Sequence, residues 1–341
     1  MKNEVIPKFW KTSAEDIDEC LDTVRTASVR RIASSAGNRA IRMVQYGTSN
    51  RFERTANLSS ALGAGDKSCF ADKTKKEYIP TVLFVGCVHG GEFEGTAAML
   101  NFIKLLETET DYCGGRRDSL LQTARKVNLM LIPCINPDGR SHIPFNSFVG
   151  KSFENLRYYN QGTWKDNTLC NWPDCKKVHP IKDYVNYLGG YFNDDGVNLM
   201  HDNFFGKKSN EVQALLDIAE ESVPDFTVLL HGGANSVNSV IQPAYAPKPI
   251  KRKVTDMCFR LKKMCDAASL KFDMPREYCG EDEEPPTSFN LPSAMQHICG
   301  EPCITYEANQ GLNGSHEGYD EIYMQHLLLF ESVIKFVSEG R

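Results

Sequence analysis

The chain has 341 residues, 41% of them hydrophobic and 24% charged, a globular composition that argues against disorder and is long enough to bury one large core or two modest ones. Its 44 acidic and 39 basic residues leave a formal charge of −5 and form no basic stripe, which argues against nucleic acid as a partner. The first residues, MKNEVIPKFWKTSAEDIDEC, lack the apolar stretch of a secretory leader, and no run approaches the roughly 20 apolar residues of a membrane span, so the expectation is a cytoplasmic protein without a membrane partner. Twelve cysteines spread between Cys20 and Cys303, several in apolar runs, read as reduced thiols packed as small hydrophobes.

In chain order, a helix is predicted over residues 14–26, followed by a half-buried strand over 39–46, where RAIRMVQY alternates. The run TVLFVGC at 81–87 is continuously apolar and reads as a strand covered on both faces. After it come HGGE and a helix whose Phe93, Ala97, Leu100, Ile103 and Leu106 recur at helical spacing. A second buried strand over 127–135 ends in the turn NPDG. Residues 141–195 then lose clear periodicity and gather aromatics, including Trp164 and Trp172, which suggests a lid or wall inserted at one face of a pocket. A helix over 210–219, a buried strand over 226–230 ending in HGGANS, a helix over 254–267, a short strand over 303–306 and a closing helix over 319–337 complete the pattern. Strands alternating with helices, without internal repeats, indicate one α/β domain over 1–341 built on a mostly parallel or mixed sheet.

In open α/β sheets ligands settle beyond the carboxyl ends of strands. His89 and Glu92 follow the strand at 81, His231 follows that at 226, and Glu307 follows that at 303. A catalytic zinc takes three protein ligands and leaves a place for water, so two histidines and a glutamate fill the set, with Gly90 and Gly91 letting the backbone bend between the first two. Glu307 ends an apolar strand, where burial of its charge is costly unless a metal-activated water uses it as a base. Each residue alone also fits a bland role: a histidine bonded at a helix start, a histidine capping a strand, a salt-bridged glutamate. Their joint occurrence after buried strands favours a zinc hydrolase that cleaves an amide. Cys170, Cys175 and His179 are further zinc-type donors, but three loosely spaced groups read better as packing than as a second site.

The motifs HGGE at 89–92, INPDGR at 135–140, DGVNL at 195–199, SNEVQAL at 209–215, LLHGG at 229–233 and TYEANQG at 305–311, in this order, resemble the zinc carboxypeptidases of the carboxypeptidase A type. The resemblance runs from about residue 79 to the C-terminus. It implies a three-layer α/β/α sandwich with a mixed, mostly parallel sheet of about eight strands. It further implies one zinc per chain on His89, Glu92 and His231, Glu307 as the base, and a small peptide or acyl-amino-acid substrate. An arginine that polarises the scissile carbonyl is expected after NPDG, and Arg157 is preferred over Arg140, which sits close to the turn. Tyr278 falls in the region of the family's active-site tyrosine, and the acidic run at 280–286 is a solvated loop or a pocket rim. The sequence departs from the family where an asparagine and arginine pair normally clamps the substrate carboxylate, because GVNLMH places Met200 and His201 there, and an imidazole does not replace a bidentate guanidinium. An amidohydrolase acting on N-acyl amino acids or cell-wall fragments, and a non-catalytic zinc- or ligand-binding protein of the same fold, are the alternatives.

Overall fold

The computed structural model describes residues 5–275 and 288–340. Helix α1 (Ala14–Asp22) precedes strands β1 (Ser28–Ser34) and β2 (Ala40–Tyr46), helix α2 (Leu58–Gly63), strand β3 (Thr81–Val85), helices α3 (Glu94–Thr108) and α4 (Asp118–Ala124), and strand β4 (Asn128–Ile132). Helices α5 (Pro137–Ser141) and α6 (Phe153–Gln161) lead to the short strands β5 (Gly162–Trp164) and β6 (Val185–Leu188). Then follow α7 (Asn210–Ser222), β7 (Phe226–Gly232), β8 (Asn238–Ile241), α8 (Lys248–Ala267), β9 (Phe272–Asp273), α9 (Leu291–Cys299), β10 (Cys303–Ala308) and α10 (Tyr319–Glu339).

Eight strands form one mixed sheet in the order β1-β2-β4-β3-β7-β10-β8-β9, and β5 pairs with β6 apart from it. The four central strands β4, β3, β7 and β10 are parallel, and β2 and β8 flank them antiparallel. Their continuous apolar runs arise because alternate side chains serve opposite layers. Val82 and Phe84 of β3 join one core with α3, α8 and α10, whereas Leu83 and Val85 join a second core with α7 and α9. Leu129 and Leu131 of β4 face the first core and Met130 and Ile132 the second. The result is an α/β fold with helices on both sheet faces.

Most predicted elements recur within a few residues. Strands β7 and β10 run further than the apolar pattern, so His231 and Glu307 are the next-to-last residues of their strands and not the first residues beyond them. Strand β1 escaped the sequence pattern because it is a sheet edge, with Arg30 and Arg31 adjacent and exposed. The weakly periodic region after α5 has a small core of its own, in which Cys170, Cys175, Ile181 and Phe192 pack together. Eleven described cysteines are free thiols, nine of them buried. Among the described residues no helix is long and apolar enough to cross a membrane.

Candidate metal centre and active site

His89 and Glu92 lie on the turn between β3 and α3, and His231 lies on the neighbouring strand β7. Ligand-type atoms of these three residues all fall within 4.8 Å of one another, the one such group of three among the described residues. His89 Nδ1 is 2.9 Å from Glu92 Oε1, and His231 Nδ1 is 2.8 Å from Glu92 Oε2. The imidazoles meet edge to face with centroids 4.9 Å apart, and all three side chains are buried. Glu92 Oε2 is thus met by His231 Nδ1, whereas the other ring nitrogen, His231 Nε2, is buried with no hydrogen-bond partner. Leaving a buried polar atom unpaired costs about 1–3 kcal/mol, so a folded protein that buries such a nitrogen beside a carboxylate and a second imidazole is built to give its lone pair to something else. Two imidazoles and a carboxylate are a zinc donor set with room for one further ligand. Burial works against the charge of Glu92, but the two imidazoles outweigh it and hold the carboxyl at about 2.

The HGGE turn holds its shape for a different reason from the one its glycines suggest. Neither Gly90 nor Gly91 has a positive φ. Instead, a Cβ on Gly90 would lie 1.9 Å from the carbonyl carbon of Gly139, and one on Gly91 would lie 1.7 Å from Asn160 Oδ1. The NPDG backbone is pressed against the ligand turn, and Asn136 completes the brace by capping α5 through Gly139 N–H while donating from Nδ2 to the Val88 carbonyl at 3.2 Å.

Three residues that the sequence reading left without a role orient the donors, two from the motifs and one from the inserted region. Asn198, from DGVNL, accepts the Met200 N–H at 3.0 Å and faces His89 Nε2 at 3.2 Å with the same Oδ1. Since that oxygen only accepts, Nε2 is the donor of this contact, and Nδ1 is the ring nitrogen turned toward Glu92. Tyr191 stacks on the His89 ring with centroids 4.1 Å apart. Gln310, from TYEANQG, donates to the Gly91 carbonyl at 3.2 Å and accepts from Ala234 N–H at 3.1 Å, tying both ligand-bearing loops together. The signal for Asn198 and Gln310 was present at non-ligand positions of the motifs, whereas Tyr191 lies in the inserted region, outside every motif.

Glu307 pairs in register with His231 across the parallel strands β10 and β7. Two buried strands that end together thus set a carboxylate beside the metal donors. Burial pushes the Glu307 carboxyl up to about 7, with His231 opposing and Glu92 adding to the rise. It opens on a cavity of about 590 Å³. One wall of that cavity comes from the aromatic inserted region through Phe153, Leu156, Gln161, Trp172, Lys176 and Tyr191. Its lining also includes the neutral polar residues Gln242, Ser288, Asn290 and Thr305.

The remaining sequence expectations fall differently. His201 and Met200 do line the cavity, but burial, followed by the charge of Lys176, lowers the His201 imidazole to about 3, so it is a neutral group near pH 7. Arg140 does not line this cavity. Its guanidinium donates to the carbonyls of Thr12 and Ile143 at 3.0 Å each and to Asn146, and it lies 4.7 Å over the Phe93 ring, which commits it to joining the N-terminal segment to α5. Arg157 sits on α6 but is not among the cavity-lining residues, because that helix turns Phe153, Leu156 and Gln161 inward instead. Tyr278 and the acidic run lie outside the described residues. Cys170 and Cys175 are core thiols, and His179 Nε2 is engaged in accepting the Asn198 N–H at 2.9 Å, so these three do not assemble as a metal site.

With this geometry in hand, comparisons place the chain among known proteins. A model described as zinc carboxypeptidase matches residues 18–272, a span that holds His89, Glu92 and His231 and ends before Glu307. A search of curated proteins found no match. Among solved structures, a metallo-carboxypeptidase from Burkholderia cenocepacia superposes with a TM-score of 0.62 at 14% identity, covering 96% of this chain and 70% of that one. Carboxypeptidase A from Helicoverpa armigera gives 0.54 at 14% identity, covering 99% and 76% of the two chains. A metallo-carboxypeptidase from Pseudomonas aeruginosa, solved in complex with (2-guanidinoethylmercapto)succinic acid, gives 0.57 at 13% identity, covering 96% and 70%. At such identities the likeness is one of fold.

Proposed function

The chain belongs to the zinc carboxypeptidase family and is a metallopeptidase, and we propose that it hydrolyses a peptide or peptide-like amide with one zinc held by His89, Glu92 and His231 and with Glu307 as general base. The observation that carries this reading is the convergence of three buried donors, one of them with an unpaired ring nitrogen, beside a carboxyl paired in register with it. Zinc in such a site supplies Lewis acidity, polarising a carbonyl and lowering the pKa of water.

The other steps belong to the chain's own residues. Glu307, in register with His231 and opening on the cavity, is placed for its carboxylate to take a proton from the attacking water and return it to the departing amine. Asn198 and Tyr191 fix the His89 ring, and the wall carrying Phe153 and Trp172 limits bulk water beside the reacting amide. That the Pseudomonas aeruginosa structure holds a succinic acid derivative supports an acidic substrate here. Met200 and His201, at the place of the family's asparagine and arginine, favour one second reading, a deacylase for N-acyl amino acids that uses the same chemistry. The free thiols, nine of them buried, support a reducing compartment such as the cytoplasm.

Metal analysis with a panel of peptides and N-acyl amino acids tests the proposal. The expected result is one zinc per chain with hydrolysis of at least one amide, both lost in His231→Ala. A His231→Ala protein that keeps its full zinc overturns the ligand assignment, and the substrate cleaved separates peptidase from deacylase.

A further inference from the structure

Behind the metal donors, two strand ends bring together a pair of thiols that the reaction does not use. Val85 of β3 pairs with Ile132 of β4. The ladder continues past both strands: Gly86 N–H donates to the Ile132 carbonyl at 2.8 Å, and the N–H groups of Ile135 and Asn136 donate to the Gly86 and Cys87 carbonyls at 3.1 Å each. Cys87 and Cys134, each two residues beyond the last strand pair, therefore lie side by side. Neighbouring strands run about 4.8 Å apart, inside the roughly 4.4–6.8 Å between Cα atoms that a disulfide spans. The two thiols hydrogen-bond to each other, whereas Cys20, Cys265, Cys299 and Cys303 turn to a carbonyl, an amide or a thioether.

Cys87 also has a φ of +55°, a left-handed conformation that suits glycine and strains a residue with a Cβ, so the fold keeps a side chain there against the preference of its backbone. Cys87 is buried, while Cys134 borders the hollow of about 640 Å³ beside α1, β2 and α5, through which a small oxidant reaches it. Arg140 lines the same hollow, and its positive charge acts on both sulfurs, which favours the thiolate that attacks an oxidant. We propose that Cys87 and Cys134 are a reversible oxidation site for hydrogen peroxide and similar small peroxides, closing to a disulfide that loosens the hold on the metal.

The Cys134 thiolate attacks one peroxide oxygen, the O–O bond breaks, and the departing hydroxide is protonated to water. The Cys87 sulfur, giving up its proton, then attacks the resulting sulfenic acid, so that an S–S bond forms, the S–O bond breaks and a second water leaves. The sulfurs together lose two electrons, the peroxide gains them, and a dithiol reductant reverses the change. The loosening follows from what flanks each thiol. Cys87 stands two residues before His89, and Cys134 stands two before Asn136, which caps α5 and donates to the Val88 carbonyl. Shortening a thiol contact to a bond of about 2.0 Å draws the ligand turn toward this brace. Gly90 is already pressed against Gly139, so the turn has no slack, and His89 shifts relative to His231. This coupling rests on the ligand assignment above, but the disulfide itself does not.

The test treats zinc-loaded wild type, Cys134→Ser and Cys87→Ala with hydrogen peroxide, blocks the remaining thiols and maps the digest by mass spectrometry. Wild type is expected to yield a cross-linked peptide joining Cys87 to Cys134, removed by dithiothreitol, and to pass zinc to a chromogenic chelator about tenfold faster when oxidised. Each variant is expected to transfer zinc at one rate with and without peroxide. A wild type that forms no such cross-link while its exposed Cys113 is oxidised overturns the site. A cross-link without faster zinc transfer, or an acceleration that persists in both variants, overturns the coupling to the metal. If the wild type binds no zinc, the ligand assignment fails, and mapping of the metal-free protein still decides the oxidation site.

Discussion

Two hollows of similar size show how function separates from architecture in this protein. One, of about 640 Å³, lies between α1, β2 and α5 and is lined by Arg39, Arg42 and Arg140. The other, of about 590 Å³, holds the metal donors. In the first, Arg39 meets Asp138 and Asp194 at 2.7 Å each, Arg42 meets Asp18 and Asp22 at 2.5 and 2.8 Å, and Arg140 meets backbone carbonyls. Every arginine there is already answered by the protein, so the hollow is a joint. In the second, His231 Nε2 is buried without a partner, and among the described residues no carboxylate pairs with Lys176. Volume does not distinguish the two, but unanswered polarity does, because a fold tolerates it where a ligand supplies the missing partner.

The sharpest way to break this contrast is to remove one charge from each hollow. Glu307→Gln keeps the shape of the cavity and deletes the base, so kcat/KM on a cleaved amide is expected to fall about a thousandfold, or about 4 kcal/mol, with zinc content unchanged. A loss below about tenfold would mean that another group moves the proton. Arg140→Met should do the opposite. It strands buried acceptors that now bond the guanidinium, and a destabilisation of about 3 kcal/mol in urea unfolding is expected, with kcat/KM within about twofold of wild type. A large kcat/KM effect without loss of stability would give Arg140 a part in the reaction.

A smaller effect concerns pH in the metal-free protein. The folded Glu307 carboxyl lies at about 7, above its ordinary 4.5, because burial disfavours the charge. Its contribution to stability is therefore fully present below about 4.5 and is lost as pH rises toward 7. Metal-free wild type should lose on the order of 2 kcal/mol relative to metal-free Glu307→Gln between pH 5 and pH 8, once water in the cavity is allowed for. Parallel unfolding curves for the two proteins over that range would remove burial as the cause.

What the sequence determined by itself is what neighbouring residues encode. The buried strands were legible because each must serve two layers, which leaves an unbroken apolar run such as TVLFV, and helix α3 was legible from the spacing of Phe93, Ala97, Leu100 and Ile103. His89, Glu92, His231 and Glu307 were legible because short motifs at strand ends carry them. Tertiary structure alone decided the rest. The need for glycine at 90 and 91 comes from Gly139 and Asn160, which lie tens of residues away, and not from the turn's own dihedrals. The orientation of the His89 ring is set by Asn198, more than a hundred residues distant, and the employment of Arg140 by Thr12 and Asn146 on either side of it. Lys176 read as an unremarkable lysine until the inserted wall set it at the cavity. Periodicity reports which face of an element is buried, but a contact between distant segments depends on how the layers dock, and that information is carried by no single stretch of chain.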